Sequence, residues 1–326
     1  MKAFELSIPD DLAAALRAGA EGSSYKAAGI DLIDRMQERV DRPKTVVDLL
    51  ALERALRFVR HDGDVHELGA LATLQQIADA PELAGGGLQA LREACGEAAT
   101  PQVRRRATLG GNLLQKSRCW YLRSAAFGCL HGGDGPECLA RSGEHRYHAV
   151  LGGFDCVRVH PSNAATALCA LGATAVIAGP QGERELPIRE LWPKAGLAAL
   201  AEHTLDVQEV LVRVRLPAQA SGGRSAYRES REKQSFDWPT AAAAVQLGRD
   251  GDRIATATVC LGAVAPVPWI AEAAAAVLVG ARPERATFTK AADAAFADAQ
   301  PLLDNAYKID LGKRVLIDAL LAASED

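Results

Sequence analysis

Four cysteines, Cys119, Cys129, Cys138 and Cys156, fall within 38 residues of a 326-residue chain. Thiolates are soft ligands that suit iron–sulfur clusters and zinc alike. The stretch that carries them contains Trp120-Tyr121-Leu122-Arg123, His131-Gly132-Gly133-Asp134-Gly135-Pro136 and Gly152-Gly153-Phe154-Asp155. It is Gly-rich with weak secondary-structure signal, and about 40 residues of such loop in a compact domain need something to order them. Four thiolates on one centre would do that. The intervals of nine, eight and seventeen residues match neither a zinc ribbon nor a bacterial ferredoxin run. Three readings stay open: an iron–sulfur cluster, a structural zinc, or four unrelated thiols. His131, His145, His148 and His160 lie nearby and keep zinc in contention, although each reads first as a surface or hydrogen-bonded loop residue. Cys95, Cys169 and Cys260 sit in helix- or strand-like patterns and read as small buried side chains.

Two glycine-bearing turns are the other candidates. Tyr25 to Ala28 is strand-like, Gly29 turns, and Ile30 to Val40 places Leu32, Ile33, Met36 and Val40 at helical spacing. A strand, a tight turn and a helix start aim unpaired N–H groups at the turn, which suits anions. With one glycine, most such turns bind nothing. Further on comes Thr100-Pro101-Gln102-Val103-Arg104-Arg105-Arg106-Ala107-Thr108-Leu109-Gly110-Gly111-Asn112. Its three arginines suit phosphate or a solvated face, since neighbours in extended structure point opposite ways.

The elements that must position these residues read as mixed α+β. Asp11 to Ala20 is a short helix, Val65 to Leu71 a strand, and Thr73 to Gln76 a capping box. Pro43 to Leu50 reads as the opening of a second unit, and Leu88 to Ala99 as a helix. Ser162 caps a helix to Leu171, and Thr174–Ile177 with Arg184–Leu186 form a hairpin. Val207 to Leu216 alternates, Ala218 to Gly223 is the best linker, strands follow near Val245 and from Ile254 to Val264, and a last helix covers Asp310 to Ala323. The 37 basic and 41 acidic residues leave a formal charge of −4, with no basic field for nucleic acid. No apolar run approaches the roughly 18 residues of a membrane span. The N-terminus is not a secretory signal, which makes the cytoplasm the default compartment. Seven cysteines are too few for a disulfide scaffold, and the odd number argues against complete pairing.

Together these segments resemble the FAD-binding medium subunit of molybdenum hydroxylases, the family of carbon monoxide dehydrogenase and xanthine dehydrogenase. The landmarks are Ala27-Ala28-Gly29-Ile30-Asp31-Leu32, Leu68-Gly69-Ala70-Leu71, Thr108 to Asn112, His160-Pro161-Ser162, Leu261 to Pro266 and Asn305-Ala306-Tyr307-Lys308. Arg118-Cys119-Trp120-Tyr121 and Cys156 before His160-Pro161-Ser162 look like the flavin subunit of periplasmic aldehyde oxidoreductase, a subgroup with a 4Fe–4S cluster in this loop. The resemblance implies a two-part FAD-binding domain of the vanillyl-alcohol oxidase type over 1–217, divided into 1–52 and 53–217, with an iron–sulfur loop at 115–158. A carbon monoxide dehydrogenase flavoprotein C-terminal-like α+β domain follows over 218–326. It also implies a first pyrophosphate loop at Ala27, Ala28, Gly29, Ile30, Asp31 and Leu32, and a second at Ala99, Thr100, Thr108, Gly110, Gly111 and Asn112. Ser162 and Asn163 fall toward the flavin, and the four clustered cysteines become ligands of the 4Fe–4S centre. Ala28 and Ile30 stand where a glycine and a threonine are usual, Asn163 where an Asp is usual, and Glu229 where a Lys is common. Arg228 or Arg231 then replaces that Lys.

The implied role is an oxidoreductase subunit that relays electrons without holding the substrate. A large partner with a molybdenum cofactor would oxidise an aldehyde or related compound, and a small partner would carry two 2Fe–2S clusters. FAD on this chain would pass electrons to an external acceptor. No catalytic acid–base pair is expected here. The alternatives are a scaffold with a degenerate FAD site and a self-sufficient flavin oxidase. Co-export with a partner that bears a signal would place the complex in the periplasm.

Overall fold

A computed structural model of the protein describes residues 1–152, 155–193, 201–233 and 236–325. Among the described residues three sheets organise it. The first is parallel and three-stranded, in the order Glu5–Ser7, Thr45–Asp48, Ser23–Lys26. Thr45–Asp48 is its middle strand, so the segment expected to open a second unit instead completes the first. Val46 and Val47 are both buried, as a strand covered on both faces requires. Asp11 caps the helix Leu12–Ala18 by accepting from Ala14 N–H at 2.7 Å. The helix after Gly29 is shorter than its periodicity suggests, Leu32–Gln37, because Arg39 turns the chain at φ 63°.

The second sheet is antiparallel, in the order Val59–Asp62, Val65–Gly69, Val210–Leu216, Thr174–Gly179, Gly182–Pro187. The helices Leu74–Asp79, Gln89–Glu97 and Asn163–Ala170 share one core with it through Leu68, Ile77, Leu91 and Leu168. Each such side chain contributes about 1.5–3 kcal/mol on burial. The capping box at Thr73 and Gln76 forms in both directions. Residues 100–113 are not extended: Thr100 caps Pro101–Arg104 and Thr108 caps Leu109–Leu113. Arg104 is not solvated either, since it donates to Ala98 O and Ala99 O at 3.0 and 2.9 Å, whereas Arg105 and Arg106 are exposed.

The third sheet is antiparallel, in the order Trp269–Ile270, Arg253–Gly262, Pro239–Asp250, Arg224–Arg231. Helices Glu272–Leu278, Arg285–Ala295 and Tyr307–Ser324 cover it over Val245, Val259, Phe288 and Leu316. The linker expected at 218–223 contains a 3₁₀ turn, Ala218–Ser221, and runs directly into the first of these strands. Among its described residues the cysteine-bearing segment has little regular structure beyond a single 3₁₀ turn, Leu139–Arg141. Among the described residues no helix is long and apolar enough to cross a membrane.

Candidate functional site

A cleft of about 530 Å³ opens where the three sheets and the cysteine segment meet. Ala27, Ala28, Gly29, Ile30, Asp31 and Leu32 line one wall, and Ala99, Thr100, Thr108, Gly110, Gly111, Asn112 and Asn163 line another. Phe236 and Trp238, just before the strand Pro239–Asp250, and Arg118 of the cysteine segment complete it. Ser162 and Arg228, both expected at the cofactor, are not lining residues. The Ser162 hydroxyl donates to Asn112 Oδ1 at 2.6 Å and accepts from Ala165 N–H, so it acts on the cleft only through Asn112. Arg228 pairs with Glu93 at 3.0 Å and donates to Tyr227 O.

The two loops meet the cleft differently. Gly29 has φ 79°, and the N–H groups of Gly29, Ile30, Asp31 and Leu32 have no acceptor among the described residues. Unpaired N–H groups at a helix start form an anion cradle. The second loop keeps fewer. Gly110 N–H donates to Ala70 O at 2.8 Å, Gly111 N–H to Thr108 Oγ1 at 3.2 Å, and Asn112 N–H to Thr108 O at 2.8 Å. Gly110 is needed for close packing instead: a Cβ there would lie 3.2 Å from Ala70 Cβ. What this loop offers is side chains. The Thr100 and Thr108 hydroxyls accept from their own helices and keep a proton to donate, and Asn112, with Oδ1 taken by Ser162, keeps its NH₂.

Asp31 ties this cleft to the cysteine segment. Its carboxylate pairs with Arg35, with Arg118 at 3.0 Å and with Arg123 at 2.6 Å, and accepts from Lys116 N–H at 3.2 Å. Arg118 also stacks over Trp238, 4.5 Å from the ring centre. Asp41 holds Arg35 and Lys116 from the other side. Glu229 turns away from the cleft, accepting from Asn163 Nδ2 at 2.6 Å and from the Tyr227 hydroxyl. Arg231 Nε stands against its Oε1 as an ion pair without hydrogen-bond alignment. Burial raises the Glu229 pKa, and Tyr227 and Arg231 oppose that shift.

Cys119, Cys129, Cys138 and Cys156 converge on one small cavity, which as it stands has room for about one water, roughly 10 Å³. Among the described residues no three His, Cys, Asp or Glu side chains are close enough to hold a single metal ion. Burial pushes the Cys119 thiol up to about 11. Cys156 hydrogen-bonds Cys138, which draws Cys138 down to about 6 and raises Cys156. Arg158 lines the cavity, is 2% exposed, and has no partner for Nη1 among the described residues. Its other nitrogens serve Glu202 Oε2 and Ala201 O. His131, also a lining residue, pairs with Glu202 at 2.9 Å.

The other three candidate histidines lie outside the cavity. His145 is bonded to Gly143 O and accepts from Asp304 N–H, while His160 is buried edge-on to Trp192. His148 departs from the loop reading: its Nε2 lies 3.2 Å from Cys119 Sγ. Burial, then the nearby Lys308, lowers its pKa to about 4 and keeps it uncharged. Arg158 carried no signal of its own in the sequence beyond its closeness to Cys156, whereas Arg118 stands beside Cys119 in a landmark run and His148 was one of four nearby histidines with nothing to set it apart. Cys95, Cys169 and Cys260 are buried, as their patterns suggest.

Residues 2–219 match the family model for the FAD binding domain in molybdopterin dehydrogenase, and residues 225–323 match the carbon monoxide dehydrogenase flavoprotein C-terminal domain. The chain is 32% identical to the aldehyde oxidoreductase FAD-binding subunit PaoB of Escherichia coli K12, over 93% of this chain and 92% of that one. It is 28% identical to the carbon monoxide dehydrogenase medium chain of Hydrogenophaga pseudoflava, over 98% and 96%. A solved structure of carbon monoxide dehydrogenase from the same organism superposes with a TM-score of 0.76 at 27% identity, covering 99% of this chain and 97% of that one.

Proposed function

Because the chain belongs to the FAD-binding subunits of the molybdopterin dehydrogenase family, we propose that it is the electron-transfer subunit of an aldehyde-oxidising molybdenum complex, carrying FAD and a 4Fe–4S cluster. It is the flavoprotein subunit of an oxidoreductase. A large partner holds the molybdenum cofactor and oxidises the substrate, and a small partner with 2Fe–2S clusters delivers the electrons. The relatives support this division, one being named an aldehyde oxidoreductase FAD-binding subunit and the other a carbon monoxide dehydrogenase medium chain.

The observation that carries the FAD reading is the cradle of unpaired N–H groups at Gly29 to Leu32 opposite the Thr100, Thr108 and Asn112 donors. A diphosphate is the anion that such a two-sided set fits. Bound FAD supplies the redox chemistry, accepting electrons and passing them to an external acceptor. The chain's own residues bind and orient it. Ala28, Ile30 and Glu229 are the departures that favour a degenerate scaffold; Ala28 and Ile30 line the cleft, Ile30 leaves its N–H free, and Glu229 is engaged with Asn163, Tyr227 and Arg231.

The four convergent cysteines and the orphaned Arg158 Nη1 support the cluster reading. A small pocket with a buried cation suits an anionic thiolate-bound centre. Cys119, Cys129, Cys138 and Cys156 would hold it. The test is the complex expressed with its partners and purified without oxygen. Extracted FAD near one per chain, with about four irons and four sulfides beyond those of the small partner, is the expected result. Iron without flavin would restore the scaffold reading, and zinc in place of iron would overturn the cluster.

A further inference from the structure

The last helix, Tyr307–Ser324, starts beside the end of the cysteine segment. Lys308 is fully buried, and its ammonium donates to Tyr147 O, His148 O and Ala263 O at 2.7, 3.0 and 2.8 Å. Asn305, equally buried, donates to His148 O and Ala149 O, both at 3.2 Å. The His148 N–H is held by His145 O at 2.9 Å. Both backbone polar groups of His148 are therefore fixed, two bonds to its carbonyl coming from residues some 160 positions further along the chain.

The ring is fixed as well. Trp120 meets it edge-on at 5.3 Å, and its Nδ1 is buried without a partner among the described residues. Nε2 faces Cys119 Sγ at 3.2 Å from outside the cysteine cavity. A metal-bound thiolate sulfur only accepts, so the proton of this contact sits on Nε2.

We propose that His148 donates its Nε2–H to the Cys119 sulfur of the cluster and thereby raises the cluster's reduction potential, with Asn305 and Lys308 of the C-terminal unit holding the imidazole in place. This rests on the 4Fe–4S reading above. Reduction adds one electron, and the extra negative charge is shared by the ligating sulfurs. A donor to one of those sulfurs stabilises the reduced form more than the oxidised one. The electron comes from the 2Fe–2S partner in the complex, or from dithionite in a titration. No proton is transferred, and no covalent bond is made or broken. His148 is thus a positioning residue that acts through Cys119.

The test is a redox titration of the whole complex followed by electron paramagnetic resonance, with wild type, His148→Phe and His148→Gln. The Phe variant removes the donor, and its cluster midpoint is expected to fall with iron content unchanged. Gln places an amide N–H near the position of Nε2, so its midpoint is expected to stay near wild type. A Phe variant with the wild-type midpoint overturns the proposal and leaves the cluster reading standing. Wild type with no 4Fe–4S signal overturns both. Should the variants fail to load, wild type carrying ¹⁵N-histidine answers instead. Pulsed resonance of its reduced cluster should show a weak coupling to one histidine nitrogen, and a spectrum without it overturns the proposal.

Discussion

Single residues decide whether the cleft can hold a diphosphate, and Gly29 is the sharpest case. Its φ of 79° is a left-handed conformation, and a Cβ added there would lie 2.9 Å from Ile33 Cγ1. Gly29→Ala should cost about 1–2 kcal/mol in backbone conformation alone. If the loop relaxes to escape that cost, its N–H groups leave the cradle. FAD affinity should then fall roughly tenfold or more, measured by titrating the deflavinated complex. Glu229 makes the opposite point. A Lys is common at that position in the resembling family, so restoring it would be expected to help the cofactor. The surroundings say otherwise, because Asn163, Tyr227 and Arg231 all direct donors or charge at this carboxylate. Glu229→Lys sets a second cation against Arg231 and leaves those donors unpaired. Stability should drop by about 3–5 kcal/mol without tighter FAD binding, and urea unfolding with parallel flavin titration checks both halves.

Elements place these residues, and some of that placement was legible. The capping box at Thr73, the Ser162 cap and the Gly29 turn are local signals, written within a few residues of where they act. Sheet order is not local, so Thr45–Asp48 looked like a beginning when it is the centre of a sheet. The strand read near Val245 in fact begins at Pro239, and its first half hid in the run Ala241–Ala244, where small residues buried on both faces give no alternation. The four cysteines could be grouped by proximity in the chain, and four histidines with them, but nothing local set His148 apart from the other three, because Asn305 and Lys308 far along the chain hold it. Lys308→Met tests that hold: it leaves the carbonyls of Tyr147 and Ala263 without their donor and His148 O with Asn305 as its remaining one, and should lower unfolding stability by about 3 kcal/mol in urea. The ion pairs at the start of the cysteine segment have a pH signature. Burial alone would raise Asp41, but Lys116 and Arg35 outweigh it and hold its pKa below the ordinary value. Its contribution is thus fully present above the unfolded value of about 3.9, and is lost as pH falls through the lower folded one. Unfolding free energies of wild type and Asp41→Asn should differ near pH 6 and converge as pH falls below about 4.

At the scale of the whole molecule, the cleft and the cysteine cavity are lined by adjacent residues of the chain. Arg118 lines the first and Cys119 the second. Arg118 is also held by Asp31 from the loop Ala27–Leu32 and by the face of Trp238, just before the strand Pro239–Asp250. A change in the position of residue 119 must therefore be absorbed by contacts that shape the cleft. Coupling of this kind is reciprocal, and common magnitudes of 1–3 kcal/mol correspond to roughly 5- to 150-fold in affinity. Cys119→Ser, which removes one ligand of the proposed cluster, should weaken FAD binding about fivefold or more, although no atom of Cys119 lines the cleft. By the same linkage, stripping FAD from the wild-type complex should hasten the loss of iron to a chelator. The two effects belong to one free energy and must appear together. FAD affinity unchanged in Cys119→Ser would mean that the Asp31 ion pairs with Arg35 and Arg123 fix the wall without metal, and chelation should then run at the same rate with and without flavin.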